Sequence, residues 1–152
     1  MVEWQEKGKD EPYTFEDLYR LIELLRSPGG CPWDRAQTHE SMIKCLYDEC
    51  DEVVAAIKNK DDDNLCEELG DVLLQVLLHA QIAAEEGRFT MADVVDELAK
   101  KMVRRHPHVF GNAPICENEE EGLARWKEIK ALEKAEKEKR RKETGKSLSD
   151  CL

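Results

Sequence analysis

The apolar residues of this chain recur every three or four positions, which is the spacing of amphipathic helices, and no segment alternates apolar with polar residues as a strand does. The pattern therefore predicts an all-α fold with about five helices. Capping residues such as Thr14 and Thr90 mark helix starts, while Ser27-Pro28-Gly29-Gly30 and Pro107 mark stops. The predicted helices cover approximately residues 14–26, 40–58, 64–86, 90–106 and 119–132.

The length of 152 residues corresponds to one ordinary domain with its own hydrophobic core. We predict a single domain over residues 1–132. From Glu133 onward the chain is dominated by lysine, arginine and glutamate, and it offers little apolar surface to bury. Residues 133–152 are therefore predicted to form a charged, disordered tail.

Acidic residues outnumber basic ones by 34 to 23, and the excess is concentrated in the middle of the chain, where residues 34–97 hold 17 acids and 5 bases. This distribution lacks the basic face that binding to duplex nucleic acid requires. It suits either a site for divalent cations or a solvated helical surface.

No apolar run in the sequence has the length of a membrane span, and no signal-peptide segment follows the start, so we expect neither a membrane partner nor secretion. The six cysteines include no C-x-x-C pair, which argues against a zinc ribbon or a redox motif. We interpret them as reduced thiols and expect a cytoplasmic protein without a disulfide scaffold.

The third predicted helix is apolar on nearly all sides, which is typical of a buried helix. One narrow polar strip interrupts it, because Glu68, Asp71, Gln75 and His79 fall within about 80° of one another on a helical wheel. Acidic side chains are seldom buried unless they are paired or bind a metal. For Glu68 and Asp71 we therefore favour a binding site over a solvated surface.

The second helix carries acids that could complete this site. Glu49 and Glu52 are spaced i, i+3, so their carboxylates share a face, although such a pair taken alone is common on exposed helices. An antiparallel hairpin with a short turn would bring them opposite Glu68 and Asp71. Four oxygen ligands without nitrogen or sulfur suit a hard cation, so we predict Mg²⁺, with Mn²⁺ as the second choice.

Di-iron bundles are another class of helical protein rich in carboxylates, and they take nitrogen ligands from Glu-x-x-His pairs. None of the four histidines of this chain has a glutamate three positions before it. The sequence therefore argues against an iron site.

Leucines also lie on the side of the third helix that faces away from its main apolar stripe. Leu74 and Leu78 are roughly 100° or more from the middle of that stripe. Few surfaces of a five-helix domain are left to cover both sides, and an exposed apolar patch is an association site. We predict a helical-hairpin core that pairs into a four-helix-bundle-like homodimer or a higher even oligomer.

Several motifs resemble those of a known family. Asp48-Glu49-Cys50-Asp51-Glu52, with Glu68-Leu69-Gly70-Asp71 after fifteen intervening residues, resembles the E-E-x-x-E…E-x-x-D motif of all-α nucleoside triphosphate pyrophosphohydrolases. The match is closest to the MazG branch, to which Gly30-Cys31-Pro32-Trp33-Asp34, Arg105-His106-Pro107-His108-Val109-Phe110 and the segment 124–130 are also similar. One position departs from the motif, since Asp48 stands where the family usually has glutamate.

The resemblance covers roughly residues 18–133. It implies Mg²⁺-dependent hydrolysis of (deoxy)nucleoside triphosphates to the monophosphate and pyrophosphate, in nucleotide-pool house-cleaning. It also implies the residues of the site, which are the catalytic metal ligands Glu49, Glu52, Glu68 and Asp71, the phosphate-binding cations Lys101, Arg104 and Arg105, and the nucleotide contact Trp126.

Other interpretations stay open for some of these residues and for the function. Lys101, Arg104 and Arg105 lie at the end of the fourth helix, where cations also complement the helix dipole. Trp126 could instead anchor the fifth helix in the core. The alternative functions are a dNTP- or dUTP-selective relative of the same fold, and a non-catalytic helical module that binds a metal or a partner protein.

Overall fold

The computed structural model describes residues 2–145, and every regular element within that range is an α-helix, which confirms the predicted all-α class. No helix in that range is both long and apolar enough to cross a membrane. The seven helices are α1 (Phe15–Arg26), α2 (Pro32–Ala36), α3 (Ile43–Asn59), α4 (Asp62–Glu85), α5 (Met91–Arg105), α6 (Pro107–Phe110) and α7 (Glu119–Glu143).

Two of these helices, α2 and α6, are short and lie in segments that the sequence predicted as loops. Each has a proline in its first turn. Backbone N–H groups in the first turn have no hydrogen-bond partner within the helix, so the missing N–H of proline costs no bond there. The remaining five correspond to the five predicted helices.

The chain divides after Val94 into two compact units, which are described separately. The first contains α1 to α4 and the start of α5, and the second contains the rest of α5 with α6 and α7. The sequence predicted one domain over residues 1–132 and did not anticipate this division. The division falls inside a helix, so no glycine- or proline-rich linker marks it.

Local hydrogen bonds set the helix starts. The Thr14 side chain accepts from the Asp17 backbone N–H while the Asp17 carboxylate accepts from the backbone N–H of Thr14, which forms a capping box. Thr90 and Asp93 make the same pair of bonds at the start of α5. Between α3 and α4 the chain reverses through Lys60, whose φ of 54° is left-handed, and Asp61 then caps α4. The result is the predicted antiparallel hairpin.

The core of the first unit joins three helices. Ile22 of α1 packs with Leu77 and Ala80 of α4 and with Met91 at the start of α5. Leu77 is completely buried, and burying a leucine stabilises a fold by about 1.5–3 kcal/mol. The core therefore fixes the C-terminal half of α4.

A second, smaller cluster packs the start of α3 on α4 through Met42, Leu78 and Ile82. The sequence had assigned Leu78, with Leu74, to the side covered by a partner subunit. Leu78 is instead covered within the chain, because the residues just before α3 lie over this side of α4, whereas Leu74 is 37% exposed.

Arg26 connects α1, α2 and α4 of the first unit, and its side chain is only 7% exposed. Its guanidinium donates three hydrogen bonds to the Glu85 carboxylate and further bonds to the backbone carbonyls of Asp34 and Gln37. The loop before α2 passes close to the end of α1, where a Cβ on Gly30 would overlap the carbonyl oxygens of Leu24 and Leu25. Glycine at position 30 is therefore required by this close approach.

The last helix is longer than predicted. The sequence placed its end near residue 132 and a disordered tail from Glu133, but α7 continues to Glu143. Glutamate, lysine, arginine and alanine are strong helix formers, so this stretch stays helical without an apolar face to bury. Acidic residues fill its first turn and basic residues its last turn, which complements the helix dipole. Residues 146–152 of the predicted tail lie outside the described residues.

The side of α3 that carries most of its large apolar residues is not covered within the first unit. We call this side the α3 apolar face, and its members are between 46% and 71% exposed: Ile43, Tyr47, Val54 and Ile57. The side of α3 that is buried carries smaller residues, such as Ala56, which is 1% exposed.

Candidate functional site

Three carboxylates converge where α3 and α4 of the hairpin face each other. Glu49 of α3 and Glu68 and Asp71 of α4 each place one carboxylate oxygen within 4.8 Å of the other two, and all three residues are half-buried. Within residues 2–145, no other group of three metal-ligating side chains comes as close together. We call this group the acid cluster.

The fourth predicted ligand, Glu52, lies at the edge of the acid cluster. It is exposed and outside the 4.8 Å group, yet its negative charge contributes to raising the pKa of both Glu49 and Glu68. The structure therefore brings three of the four predicted ligands together and places the fourth next to them.

The electrostatics of the acid cluster favour a cation. Partial burial is the main cause that raises the pKa of the Glu49 and Glu68 carboxyls, and the negative charge of Asp71 is the next. Burial and mutual repulsion both disfavour the ionised forms, and a bound cation would offset both effects.

The donor set of the acid cluster fits magnesium. It consists of carboxylate oxygens, which are the ligands that Mg²⁺ prefers. Ligands on opposite sides of a Mg²⁺ ion lie about 4 Å apart, so oxygens within 4.8 Å need only small side-chain rotations to reach this spacing. The residues present therefore suit the predicted ion.

Asp48, the position that departs from the family motif, is not part of the acid cluster. Its carboxylate forms an exposed ion pair with Lys44, one turn earlier on α3. The shorter side chain at this position therefore leaves the three converging carboxylates unchanged.

The polar strip of α4 continues along the helix to a half-buried histidine pair. His79 Nδ1 lies 2.7 Å from His39 Nδ1, and Arg88 donates to His39 Nε2. Since arginine can only donate, His39 carries its proton on Nδ1 and His79 accepts it there, which leaves the proton of His79 on Nε2. Burial, followed by the effect of His39, lowers the pKa of His79, which favours its neutral form.

The second unit contains the predicted nucleotide-binding residues. Arg104 and Arg105, at the end of α5, both donate hydrogen bonds to the carboxylate of Glu133 on α7. The hydrogen bond from Arg105 is the main cause that holds the pKa of Glu133 below its usual range. Lys101 is half-buried one turn earlier on α5.

Trp126 of α7 is half-buried and lies under two cations. The Arg105 guanidinium carbon is 5.3 Å from the centre of its ring, and Lys130 Nζ is 4.8 Å from it. Trp126 belongs to neither core cluster, and the position of both cations over its ring is that of a cation–π contact.

Sequence reasoning missed two features of these sites. The His39–His79 contact joins residues 40 positions apart, and the Glu133 contacts join residues 28 and 29 positions apart. For Glu133 a signal is available, since it lies three residues beyond the motif segment 124–130. The prediction of a tail from Glu133 onward leaves this acid without a partner.

The fold and the acid cluster together define an all-helical protein with a carboxylate site built on an antiparallel hairpin. The family model described as "MazG nucleotide pyrophosphohydrolase domain" matches residues 37–110. A solved structure, a mazG-related protein from Thermotoga maritima, superimposes with a TM-score of 0.59 at 34% identity, over 74% of this chain and 97% of that one. The chain belongs to the MazG family, which confirms the resemblance in its motifs.

Curated relatives support the same assignment. A protein of Thermotoga maritima named nucleoside triphosphate pyrophosphohydrolase/pyrophosphatase MazG is 51% identical over 133 residues, which are 88% of this chain and 50% of that protein. The nucleoside triphosphate pyrophosphohydrolase of Escherichia coli K12 is 46% identical over 79% of this chain and 46% of its own length. The chain thus spans about half the length of these relatives.

Proposed function

We propose that this protein is an enzyme that hydrolyses nucleoside triphosphates to the monophosphate and pyrophosphate with Mg²⁺ as its cofactor. The observation that carries the proposal is the acid cluster, which lies on the hairpin of a chain that belongs to the MazG family. The names of the relatives give the substrate class. A purely structural helical module would have no use for three half-buried acids in which the charge of Asp71 raises the pKa of Glu49 and Glu68.

In this proposal Glu49, Glu68 and Asp71 hold the ion, and Glu52 reaches it from the edge of the cluster. When bound, Mg²⁺ supplies positive charge that neutralises phosphate oxygens. Lys101, Arg104 and Arg105 bind phosphate oxygens through charge-assisted hydrogen bonds, and Trp126 offers an aromatic face to the nucleotide.

We further propose that the cellular role is house-cleaning of the nucleotide pool in the cytoplasm. Five of the six cysteines are free thiols in the described part of the chain, which fits a reducing compartment. The substrates would be ribo- or deoxyribonucleoside triphosphates. A screen of standard and modified nucleoside triphosphates for pyrophosphate release would rank them.

The products test the reaction class directly. A digest of ATP with the protein and Mg²⁺ is expected to yield AMP and pyrophosphate in equal amounts from the earliest time points, because the proposed reaction breaks the bond between the α- and β-phosphates. Anion-exchange chromatography of the digest measures both. Accumulation of ADP with orthophosphate would rule out this reaction class, and release of neither product would favour a non-catalytic module.

We also propose that the protein is a homodimer in which the α3 apolar face is covered by a second copy. Four large apolar side chains on one side of a helix that also holds part of the acid cluster form an exposed patch of the kind that marks an association site. A two-fold contact between α3–α4 hairpins would build a four-helix arrangement, and higher even oligomers would repeat it.

The variant Val54→Glu tests the dimer, because it places an unpaired charge in the centre of the proposed contact. Light scattering is expected to give twice 17.5 kDa, or a higher even multiple, for the unchanged protein and a smaller or unfolded species for the variant. Val54→Ala, which keeps the site apolar, serves as the matched control and should retain the larger mass. A fully active, folded monomer of the unchanged protein would contradict the proposal.

A further inference from the structure

One carboxylate of α7 holds the two arginines at the end of α5. Glu133 Oε1 accepts from Arg104 Nε at 2.6 Å, and Oε2 accepts from Arg105 Nε at 3.0 Å and from Arg105 Nη2 at 2.8 Å. The side chains of Glu133 and Arg105 are only 19% and 13% exposed, whereas that of Arg104 is 54% exposed. Glu133 thus fixes two neighbouring guanidinium groups from one side.

These bonds leave donors on the other side of each guanidinium. Among the described residues, Nη1 and Nη2 of Arg104 and Nη1 of Arg105 have no hydrogen-bond partner, because the bonds to Glu133 use only the Nε edge of each group and one Nη of Arg105. Two guanidinium groups and one carboxylate keep a net positive charge. The arrangement can therefore still bind an anion.

We propose that Glu133 is a positioning residue that orders Arg104 and Arg105 as a pair for binding phosphate oxygens of the substrate. This inference rests on the proposed function, in which both arginines contact phosphate. Two adjacent arginines repel each other and lose considerable side-chain entropy when they are ordered. Glu133 offsets the repulsion and orders the pair before the substrate binds, which lowers the cost of binding.

Trp126 completes this arrangement by restricting Arg105 further. The guanidinium of Arg105 lies over the Trp126 ring while it donates to Glu133, so its plane is held by two contacts. Arg104 has a single bond to Glu133 and is more exposed. The phosphate contact of Arg105 is thus the more ordered of the two, and Arg104 can adjust to the substrate.

The variant Glu133→Gln tests the proposal, because it keeps the size of the side chain and removes its charge. Since phosphate contacts hold substrate and transition state alike, the expected result is a KM for ATP about tenfold higher with kcat changed less than about twofold. The inhibition constant of inorganic pyrophosphate should rise by the same factor. Glu136→Gln, an exposed glutamate on the same helix with no ion pair among the described residues, is the matched control.

A KM that is unchanged or lower in Glu133→Gln overturns the proposal, and a lower KM would show that the carboxylate competes with phosphate for the arginines. A fall in kcat together with a lower melting temperature would show a structural role only, which also overturns it. Arg105→Lys is the second variant, because lysine keeps the charge but cannot make the paired bonds to Glu133. It should raise KM in the same way.

A double-mutant cycle separates this inference from the proposed function. If Glu133 acts through the arginines, Glu133→Gln should have no further effect on KM in a protein that already carries Arg104→Ala and Arg105→Ala. If the arginine variants leave KM unchanged, the proposed phosphate contacts are wrong. If they raise KM and Glu133→Gln alone does not, only the role of Glu133 is wrong.

Discussion

Replacing Asp71 by asparagine is expected to abolish turnover and leave the helical content intact. Asp71 belongs to the acid cluster and lies within 4.8 Å of both Glu49 and Glu68. A neutral amide binds Mg²⁺ less well than a carboxylate, and a catalytic metal contributes several kcal/mol of charge stabilisation. Loss of that contribution lowers kcat by roughly 1000-fold. Pyrophosphate release at saturating Mg²⁺ measures kcat, and circular dichroism measures the helix content.

The same variant should be more stable than the unchanged protein when no metal is present. The charge of Asp71 contributes to raising the pKa of Glu49 and Glu68, so at neutral pH the ionised cluster destabilises the fold by repulsion. Removing one charge relieves this repulsion, and the metal-free melting temperature rises. The increase in melting temperature that Mg²⁺ produces in the unchanged protein should be largely lost.

Asp51→Asn is the control for both measurements. Asp51 is an exposed acid on α3 and lies outside the acid cluster, so its loss should leave turnover and the response to Mg²⁺ close to those of the unchanged protein. Near-normal turnover in Asp71→Asn at saturating Mg²⁺ would remove the acid cluster from the reaction.

The largest loss of stability is expected from Arg26→Ala. The side chain makes bonds to Glu85 and to the backbone of Asp34 and Gln37, so its removal disconnects α1, α2 and α4 at once. Hydrogen bonds to charged groups contribute more than neutral ones, and Glu85 loses its partner at a site that is only 35% exposed. The free energy of unfolding should fall by about 2–4 kcal/mol. Urea unfolding followed by circular dichroism measures it.

Arg20→Ala is the matched control on the same helix. The Arg20 side chain is 58% exposed and, among residues 2–145, pairs only with Glu23, one turn later; such surface pairs contribute about 0–1 kcal/mol. Arg26→Lys should be nearly as destabilising as Arg26→Ala, because a lysine cannot reach a carboxylate and two carbonyls with a planar set of donors. If Arg26→Ala changes stability no more than Arg20→Ala, the connecting role is wrong.

The helix starts and the hairpin could be predicted from the sequence because their causes are local. Thr14 with Asp17 and Thr90 with Asp93 form capping pairs three residues apart, and the polar turn before Asp61 allows few conformations besides a reversal. The convergence of acids on α3 and α4 followed from the same local geometry. Once the two helices are antiparallel, acids spaced i, i+3 on facing sides lie close together.

What the sequence could not supply was which side of each helix the rest of the chain covers. Most large apolar residues of α3 lie on one side of the helix, but that side is exposed in the chain while the side of Ala56 is buried. The prediction for Leu78 was wrong for the same reason. The apolar pattern of a helix is the same whether its side is covered by the chain itself or by a partner subunit. Glu133 is a second example, because its role depends on contacts with Arg104 and Arg105, which lie 29 and 28 positions earlier in the chain.

The fully buried residues of α4 begin only at Gln75, whereas Glu68 and Asp71 lie in the half of the helix before it. The core therefore holds only the C-terminal half of α4, while Glu68 and Asp71 lie in its N-terminal half. Local unfolding of the N-terminal half need not disturb Leu77 or the rest of the core, so its free energy is smaller than that of global unfolding. A cation bound between α3 and the N-terminal half of α4 would stabilise that half. Metal binding would therefore be coupled to the ordering of the first turns of α4.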